Sequence, residues 1–295
     1  IVSHWLAPSG IVGAALRRAD RPHVAVAHGG DVHLLSATAY GARIARWVLG
    51  RSDRVACAAS WQLSAIERLA GPKAPPADLV RMGASIGPRP DPSDVDAFRR
   101  AHSLSDTPGV LFLGRLVPIK GVDVLLDAAS AAPDVAVWIA GDGPESEALR
   151  AKAAAARLRV SFLGRLGRRE RRLALEACSA VVIPSIVDGN GRQEGAPVVA
   201  SEALAAGRPI IATRTGELPT MLDDGRNALL VEPNDAAALA RALGQIAGDA
   251  GLRSRLSAGA VSGAEEFTIS RTAERIAAMI ADVLDRRKHP NVTTR

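Results

Sequence analysis

From about residue 110 onward the chain alternates short, almost unbroken apolar runs with longer stretches of helical periodicity. Six such runs stand out: Val110 to Leu113, Val135 to Ala140, Val160 to Leu163, Ala180 to Ile183, Pro209 to Ala212 and Ala228 to Val231. A strand covered on both faces has no position to leave polar, so runs of this length read as buried parallel strands. Helices are predicted between and after them, including 122–132, 235–247, 251–264 and 270–287, with a loose tail from His289. Strand and helix in alternation mean repeated right-handed βαβ units. The predicted class is α/β, with a doubly wound parallel sheet in the second half.

The first half has the same grammar with fewer words. A strand tail and loop at Ile1 to Gly10 precede a helix from Ile11 to about Ala19 and a buried strand at His23 to Ala27. The strand runs into a loop, His28 to His33, at the kind of edge where open α/β sheets place ligands. A helix over Ala39 to Leu49, a strand at Arg54 to Ala58, a helix capped by Ser60 and ending at Gly71-Pro72, and a strand at Leu79 to Met82 follow. Gly83, Gly87, Pro88, Pro90 and Pro92 then break both kinds of element, which places a domain boundary there. The predicted organisation is an incomplete Rossmann-like domain over 1–88, a complete one over 89–270, and a helix and tail over 271–295 that packs back toward the first. Three clear strands before the linker are too few for a whole doubly wound domain, and the sequence starts on Ile1, so the N-terminal domain is expected to be truncated.

Composition narrows the function classes. With 295 residues, 47% hydrophobic and 23% charged, the chain has enough apolar mass for two globular cores. The formal charge is +6, which suits phosphates or an anionic membrane surface. Arg17, Arg18, Arg21, Arg43, Arg46, Arg51 and Arg54 are candidates for a basic face, or for an ordinary solvated one. Nucleic acid is not an expected partner, because only 3% of residues are aromatic and no basic helix carries interleaved aromatics. Cys57 and Cys178 form no CxxC motif and read as buried thiols of a cytoplasmic protein. No apolar run reaches membrane-spanning length, no signal-peptide pattern opens the chain, and no cluster has metal-ligand spacing.

Candidate chemistry collects at strand ends. In PSIVDGNGRQEGAPVVASEALAAGRP, Pro184 to Pro209, Pro197 fits the first turn of a helix, so Glu194 falls just before that helix and Glu202 within it. Free backbone N–H groups at such a start suit an anion; an ordinary surface helix with two solvated glutamates satisfies the same pattern. The run Gly114 to Gly121, GRLVPIKG, follows another strand and sends out Arg115 and Lys120, two cations able to converge on a diphosphate. Gly141-Asp142-Gly143-Pro144 is a tight strand-to-helix turn on the same edge, and Ser146 rules out a dinucleotide fingerprint. Thr215-Gly216-Glu217 occupies an equivalent edge or simply starts a helix.

In order, GRLVPIKG, AGDGP, FLGR, EGAPVVASE, GRPIIAT and GRNALLVEP resemble the C-terminal domain of retaining glycosyltransferases of family 4, which have the GT-B fold; WLAPSG and AHGGDVH resemble the later part of that family's N-terminal domain. The form of the glutamate loop is most similar to bacterial exopolysaccharide and colanic-acid-type members. The resemblance implies a nucleotide diphosphate sugar as donor and a glycan or lipid-linked acceptor, without cofactor or metal. Residues 1–88 then face the acceptor, and 89–270 bind the nucleotide sugar. Arg115 and Lys120 match the pair that grips the diphosphate, with Gly114 and Gly141 beside them. Glu194 and Glu202 match the two glutamates of the EX7E pattern, the first on donor-sugar hydroxyls and the second on the ribose. Backbone groups at Gly195, Ala196 and Pro197 face the phosphate, and His28 matches a histidine that reaches the donor sugar. The implied location is cytoplasmic, peripheral at the inner face of the membrane. Two departures affect the carry-over: the insertion Asp188-Gly189-Asn190-Gly191-Arg192 bears on sugar preference, and the family's opening glycine-rich loop is absent. A GT-B sugar-nucleotide epimerase or hydrolase, or a nucleotide-binding fragment without catalysis, fits the same residues.

Overall fold

The computed structural model describes residues 1–104, 108–187, 189 and 194–288. They form two compact units: residues 1–82 with the last helix, and residues 83–268.

The first unit runs β1 (Val2–His4), α1 (Ser9–Leu16), β2 (Val24–Ala27), α2 (Gly30–Ser36), α3 (Ala39–Leu49), β3 (Arg54–Cys57), α4 (Ser60–Ala70) and β4 (Ala77–Leu79). Its four strands pair in parallel in the order β1-β2-β3-β4. Alternate strand residues go to opposite faces. Ala25, Ala27, Val55 and Cys57 pack with Ala14, Val48, Leu49 and Ile66 of α1, α3 and α4.

The second unit runs α5 (Pro92–Ala101), β5 (Gly109–Leu113), α6 (Val122–Ser130), β6 (Ala136–Ala140), α7 (Ser146–Ala155), β7 (Val160–Gly164), α8 (Arg168–Ala177), β8 (Ala180–Ile183), α9 (Val198–Ala205), β9 (Ile210–Thr213), α10 (Leu218–Met221), β10 (Ala228–Val231), α11 (Ala236–Gly248) and α12 (Ala250–Gly263). Its sheet is parallel throughout, in the order β10-β9-β8-β5-β6-β7. Leu111, Trp138, Val181 and Ile210 face Phe98 of α5, Leu173 of α8 and Leu204 of α9. Val110, Val137, Val182 and Ile211 face Leu126 of α6, Leu149 of α7 and Leu243 of α11. Both faces are therefore covered, which is why β5, β6 and β8 carry no polar side chain. Each buried aliphatic side chain contributes roughly 1.5–3 kcal/mol, so the two-sided core holds the strand ends, and the loops leaving them, in fixed register.

The remaining helix, α13 (Ile269–Lys288), belongs to the first unit, where Met279 and Val283 pack on Val24, Val26 and Ala56 of the second sheet face. Arg54 binds Asp78 through Nε and Nη2, at 2.6 and 2.9 Å, and also pairs with Asp282 of α13.

Several local expectations need correction. The stretch His28 to His33 is not all loop: α2 starts at Gly30, because the buried Asp31 carboxylate accepts from the backbone N–H groups of Leu6 at 2.7 Å and His28 at 3.1 Å. The strand expected at Leu79 to Met82 lies at Ala77–Leu79. An edge strand tolerates a charge, and Asp78 is neutralised there by Arg54. Pro197 is the N-cap of α9 with extended backbone, one position earlier than a first-turn proline. The first helix spans Ser9–Leu16, starting two residues before Ile11. Cys57 and Cys178 are buried free thiols, and burial pushes each up to about 12. Among the described residues no helix is long and apolar enough to cross a membrane.

Candidate functional site

In the second unit the chain builds β5, β6 and β7 outward, then returns to place β8 on the other side of β5. The chain therefore reverses its direction of build between β5 and β8, and the crevice at the carboxyl ends of strands at such a switch point is the usual ligand position in an open α/β sheet. Lys120 comes from the loop after β5 and Glu194 from the loop after β8.

Those loops are tied together. The Ile186 N–H donates to the Ile119 carbonyl at 3.0 Å. Gly121, with φ 63°, lies so close to the other loop that a Cβ there would stand 2.0 Å from the Pro184 carbonyl oxygen. Only glycine satisfies both conditions without strain. Across this junction Lys120 Nζ forms an ion pair with Glu194 Oε1. The Ser185 hydroxyl donates to Glu194 Oε2 at 2.5 Å, and Thr213 Oγ1 donates to the Ser185 carbonyl at 2.5 Å. On the far side of Glu194, the Glu217 N–H donates to the Gly195 carbonyl at 3.2 Å. Glu217, which is buried, thus braces the glutamate loop through its backbone.

A cavity of about 500 Å3 adjoins the crevice, lined by Gly114 and Arg115 after β5, Gly141 to Gly143 after β6, and Arg165 and Leu166 after β7. Its floor is fixed by close backbone packing. Gly114 donates to the Ala140 carbonyl at 3.0 Å, Leu116 to the Asp142 carbonyl at 2.9 Å, and a Cβ on Gly141 would stand 1.7 Å from the Gly114 carbonyl oxygen. The Asp142 carboxylate accepts from the Ser146 hydroxyl and the Gly143 N–H, each at 2.8 Å, and these bonds hold it below the usual carboxylate range. Among the described residues Arg115 and Arg165 have no hydrogen-bond or ion-pair partner. The N–H groups of Gly195 and Ala196, just before α9, likewise have no acceptor there. The cavity thus presents Arg115, Arg165 and neutral backbone beside the hydrogen-bonded Asp142 carboxylate, and the two arginines can stabilise an anion.

Gly114, Arg115, Lys120, Gly141, Glu194, Gly195, Ala196 and Pro197 all come from the loops at this sheet end. Glu202, on α9, is bound by Arg171 of α8, whose Nη2 donates to its two oxygens at 2.6 and 2.5 Å. Of the insertion, Asp188, Asn190, Gly191 and Arg192 lie outside the described residues. Sequence reasoning missed Arg165, Arg171 and Ser185. Arg165 closes the FLGR motif and Ser185 lies in the Pro184 to Pro209 stretch, but no role is read for either, whereas Arg171 is one of four arginines on one helix and nothing in the pattern singles it out.

His28 belongs to the first unit, at the end of β2. Its Nε2 lies 2.9 Å from His4 Nδ1, so the two rings share one proton, and Trp5 stacks on it at 5.4 Å. Burial, reinforced by His4, holds the His28 imidazole below the ordinary histidine range. His33 is edge-on to Trp61 at 6.1 Å. Of the seven arginines in the candidate basic face, Arg17 is paired with Asp53 and Arg54 with Asp78 and Asp282, so the charge of these two is compensated.

Comparison with known proteins bears on the same segments. Residues 107–249 match the family described as Glycosyl transferases group 1. The phosphatidyl-myo-inositol mannosyltransferase of Mycobacterium leprae is 30% identical over 274 residues, which cover 89% of this chain and 67% of that protein. An uncharacterised glycosyltransferase of Methanocaldococcus jannaschii, MJ1178, is 29% identical over 80% of this chain and 61% of its own length. The chain spans 67% of the first of these and 61% of the second, and about half or less of other relatives, such as the D-inositol 3-phosphate glycosyltransferase of Stackebrandtia nassauensis at 46%. Among solved structures, Anabaena Alr3699/HepE in complex with UDP superposes with a TM-score of 0.79 at 22% identity, covering 93% of this chain and 76% of that one. Two Rossmann-like parallel-sheet units of the GT-B kind, with a family match over most of the unit that carries the crevice, lead to one conclusion: the chain belongs to the group 1 glycosyl transferase family.

Proposed function

We propose that this chain carries the nucleotide-sugar site of a retaining glycosyltransferase. It moves a sugar from a nucleotide diphosphate sugar to a glycan or lipid-linked acceptor in cell-surface polysaccharide or glycolipid synthesis. The observation that carries the reading is the crevice between β5 and β8, where Lys120 and Glu194 meet beside a cavity walled by Arg115 and Arg165. When the bond from the anomeric carbon to the diphosphate breaks, negative charge grows on the departing oxygen, and Arg115, Lys120 and the N–H groups before α9 stabilise it. These cations do the work that a metal ion does elsewhere, so chelator leaves turnover unchanged. Glu194 binds hydroxyls of the donor sugar and Glu202 the ribose. The names of the relatives support the transfer reaction, and the UDP complex of the Anabaena protein supports a nucleotide diphosphate as the ligand.

Release of nucleoside diphosphate from a panel of nucleotide sugars, with and without acceptor, tests this reading. Acceptor-dependent transfer with retained anomeric configuration, read by NMR, is the expected result. An inverted product overturns retention, and acceptor-independent hydrolysis or epimerisation overturns transfer. The reading extends to the membrane: Arg21, Arg43, Arg46 and Arg51 are exposed, as are Leu16, Leu34 and Tyr40 in the same unit. Basic residues near an anionic bilayer contribute about 1 kcal/mol each. Sedimentation with phosphatidylserine or phosphatidylglycerol vesicles, weakened by salt, is expected; no binding to either removes the extension.

A further inference from the structure

Arg171 occupies an unusual position among the arginines of α8. Arg168 donates to the Ser85 hydroxyl, Arg169 pairs with Asp94, and Arg172 pairs with Glu176 four residues on. Arg171 instead lines the 500 Å3 cavity and also a smaller one of about 150 Å3 that contains Glu202. Leu166 and Arg171 are the residues common to both linings, so together they form the wall between them.

The contact with Glu202 goes through one nitrogen only. Nη2 serves both carboxylate oxygens at 2.6 and 2.5 Å, and among the described residues Nε and Nη1 of Arg171 donate to nothing. The glutamate side chain is 16% exposed and the arginine 42%. An enclosed carboxylate is fixed best by a counter-charge that also hydrogen-bonds it, and guanidinium is the permanently charged donor among side chains. Two carboxylate oxygens offer about four acceptor positions. A single shared N–H group nitrogen leaves acceptor capacity for other hydroxyls.

We propose that Arg171 is a positioning residue for ribose recognition: it holds the Glu202 carboxylate oriented so that it accepts from the hydroxyls of a ribonucleotide. This rests on the nucleotide-sugar reading of the site. The consequence is a preference for ribose over deoxyribose that depends on an arginine which need not touch the sugar. Loss of charge alone weakens every nucleotide alike, whereas loss of orientation weakens only those with the hydroxyl to present.

Calorimetry on the full chain, using UDP and GDP with their 2′-deoxy counterparts, separates the two. Wild type is expected to bind the preferred ribonucleotide about tenfold more tightly than its deoxy form, a difference of the size expected for a hydrogen bond to a charged group. In Arg171→Leu the ratio should fall to about twofold or less, mostly through weaker ribonucleotide binding, and in Arg171→Lys it should be intermediate because the charge remains without the planar fork. Melting temperatures show whether each variant is folded; if the leucine variant is not, the lysine variant alone decides, since an unchanged ratio there overturns the proposal. Equal weakening of both nucleotides overturns it, because Arg171 then supplies charge only. Tighter ribonucleotide binding in Arg171→Leu also overturns it, because the arginine then shields Glu202. Wild-type chain that binds neither nucleotide sinks the donor-site reading itself.

Discussion

Both sheets present the ends of parallel strands, yet they present different chemistry. In the larger unit these ends carry full charges: Arg115, Lys120, Arg165 and Glu194, with backbone N–H groups between them. In the smaller unit they carry His4, Trp5 and His28, with the one carboxylate, Asp31, buried and committed to backbone N–H groups. A diphosphate needs the first kind of edge, because charge-assisted bonds are the strong ones. A sugar, which has hydroxyls and apolar C–H faces but no charge, suits neutral imidazole and indole. On the proposed reading the charged edge supplies the binding energy for the nucleotide, and the uncharged edge offers the kind of group that meets a neutral sugar.

The largest effect expected on this view is from Lys120→Ala. It removes a cation and strips Glu194 of its counter-charge, so donor affinity or turnover should fall about 10- to 100-fold. Unchanged kinetics with a nucleotide sugar would erase the charged half of the contrast. Gly141→Ala tests whether the charged edge depends on its glycine floor. The added methyl meets the Gly114 carbonyl, and stability should drop by about 1–3 kcal/mol in denaturant titration, with nucleotide binding weakened as well. His28→Ala probes the neutral edge. Turnover should fall about 3- to 10-fold, the worth of a neutral hydrogen bond, while calorimetry with the free nucleoside diphosphate stays unchanged; an equal loss in both would mean that the edges do not divide the work.

The smallest effect is on stability. His23 is fully buried between the hydroxyls of Ser3 and Ser52, at 2.8 and 3.2 Å, and burial lowers its affinity for a proton. His28 is shifted the same way. A histidine that titrates lower in the folded state than in the unfolded one stabilises the fold above its ordinary value of 6.5, and that stability is lost as pH falls below it. The first unit should therefore melt at progressively lower temperature from pH 7 to pH 5, and His23→Gln should flatten the slope. A slope unaffected by that substitution would place the acid sensitivity elsewhere.

The strands of the larger sheet were legible because AVWIA, AVVI and IIAT leave no doubt about two-sided burial. Turn chemistry marked their ends, and hence the loops that hold Arg115, Lys120 and Glu194. What escaped was structure made by single polar contacts. Helix α2 opens with Gly-Asp and reads as a loop until Asp31 is seen to gather two backbone N–H groups. β4 has a charged centre that only its partner Arg54 makes intelligible. The pairing of Arg171 with Glu202 joins residues 31 positions apart on two helices, and no local period encodes it. Burial is written in runs of residues, whereas ion pairs are written in distances that only the fold creates.

The anchoring of the glutamate loop has a consequence for how such a site can change. Ile186 is fastened to the Lys120 turn at one end of the loop, and Gly195 to the start of α10 at the other. Both fastenings are backbone bonds, so they hold their two ends whatever side chains stand between them. On the proposed reading, a lineage can change residues that meet the sugar while inheriting its hold on the phosphates.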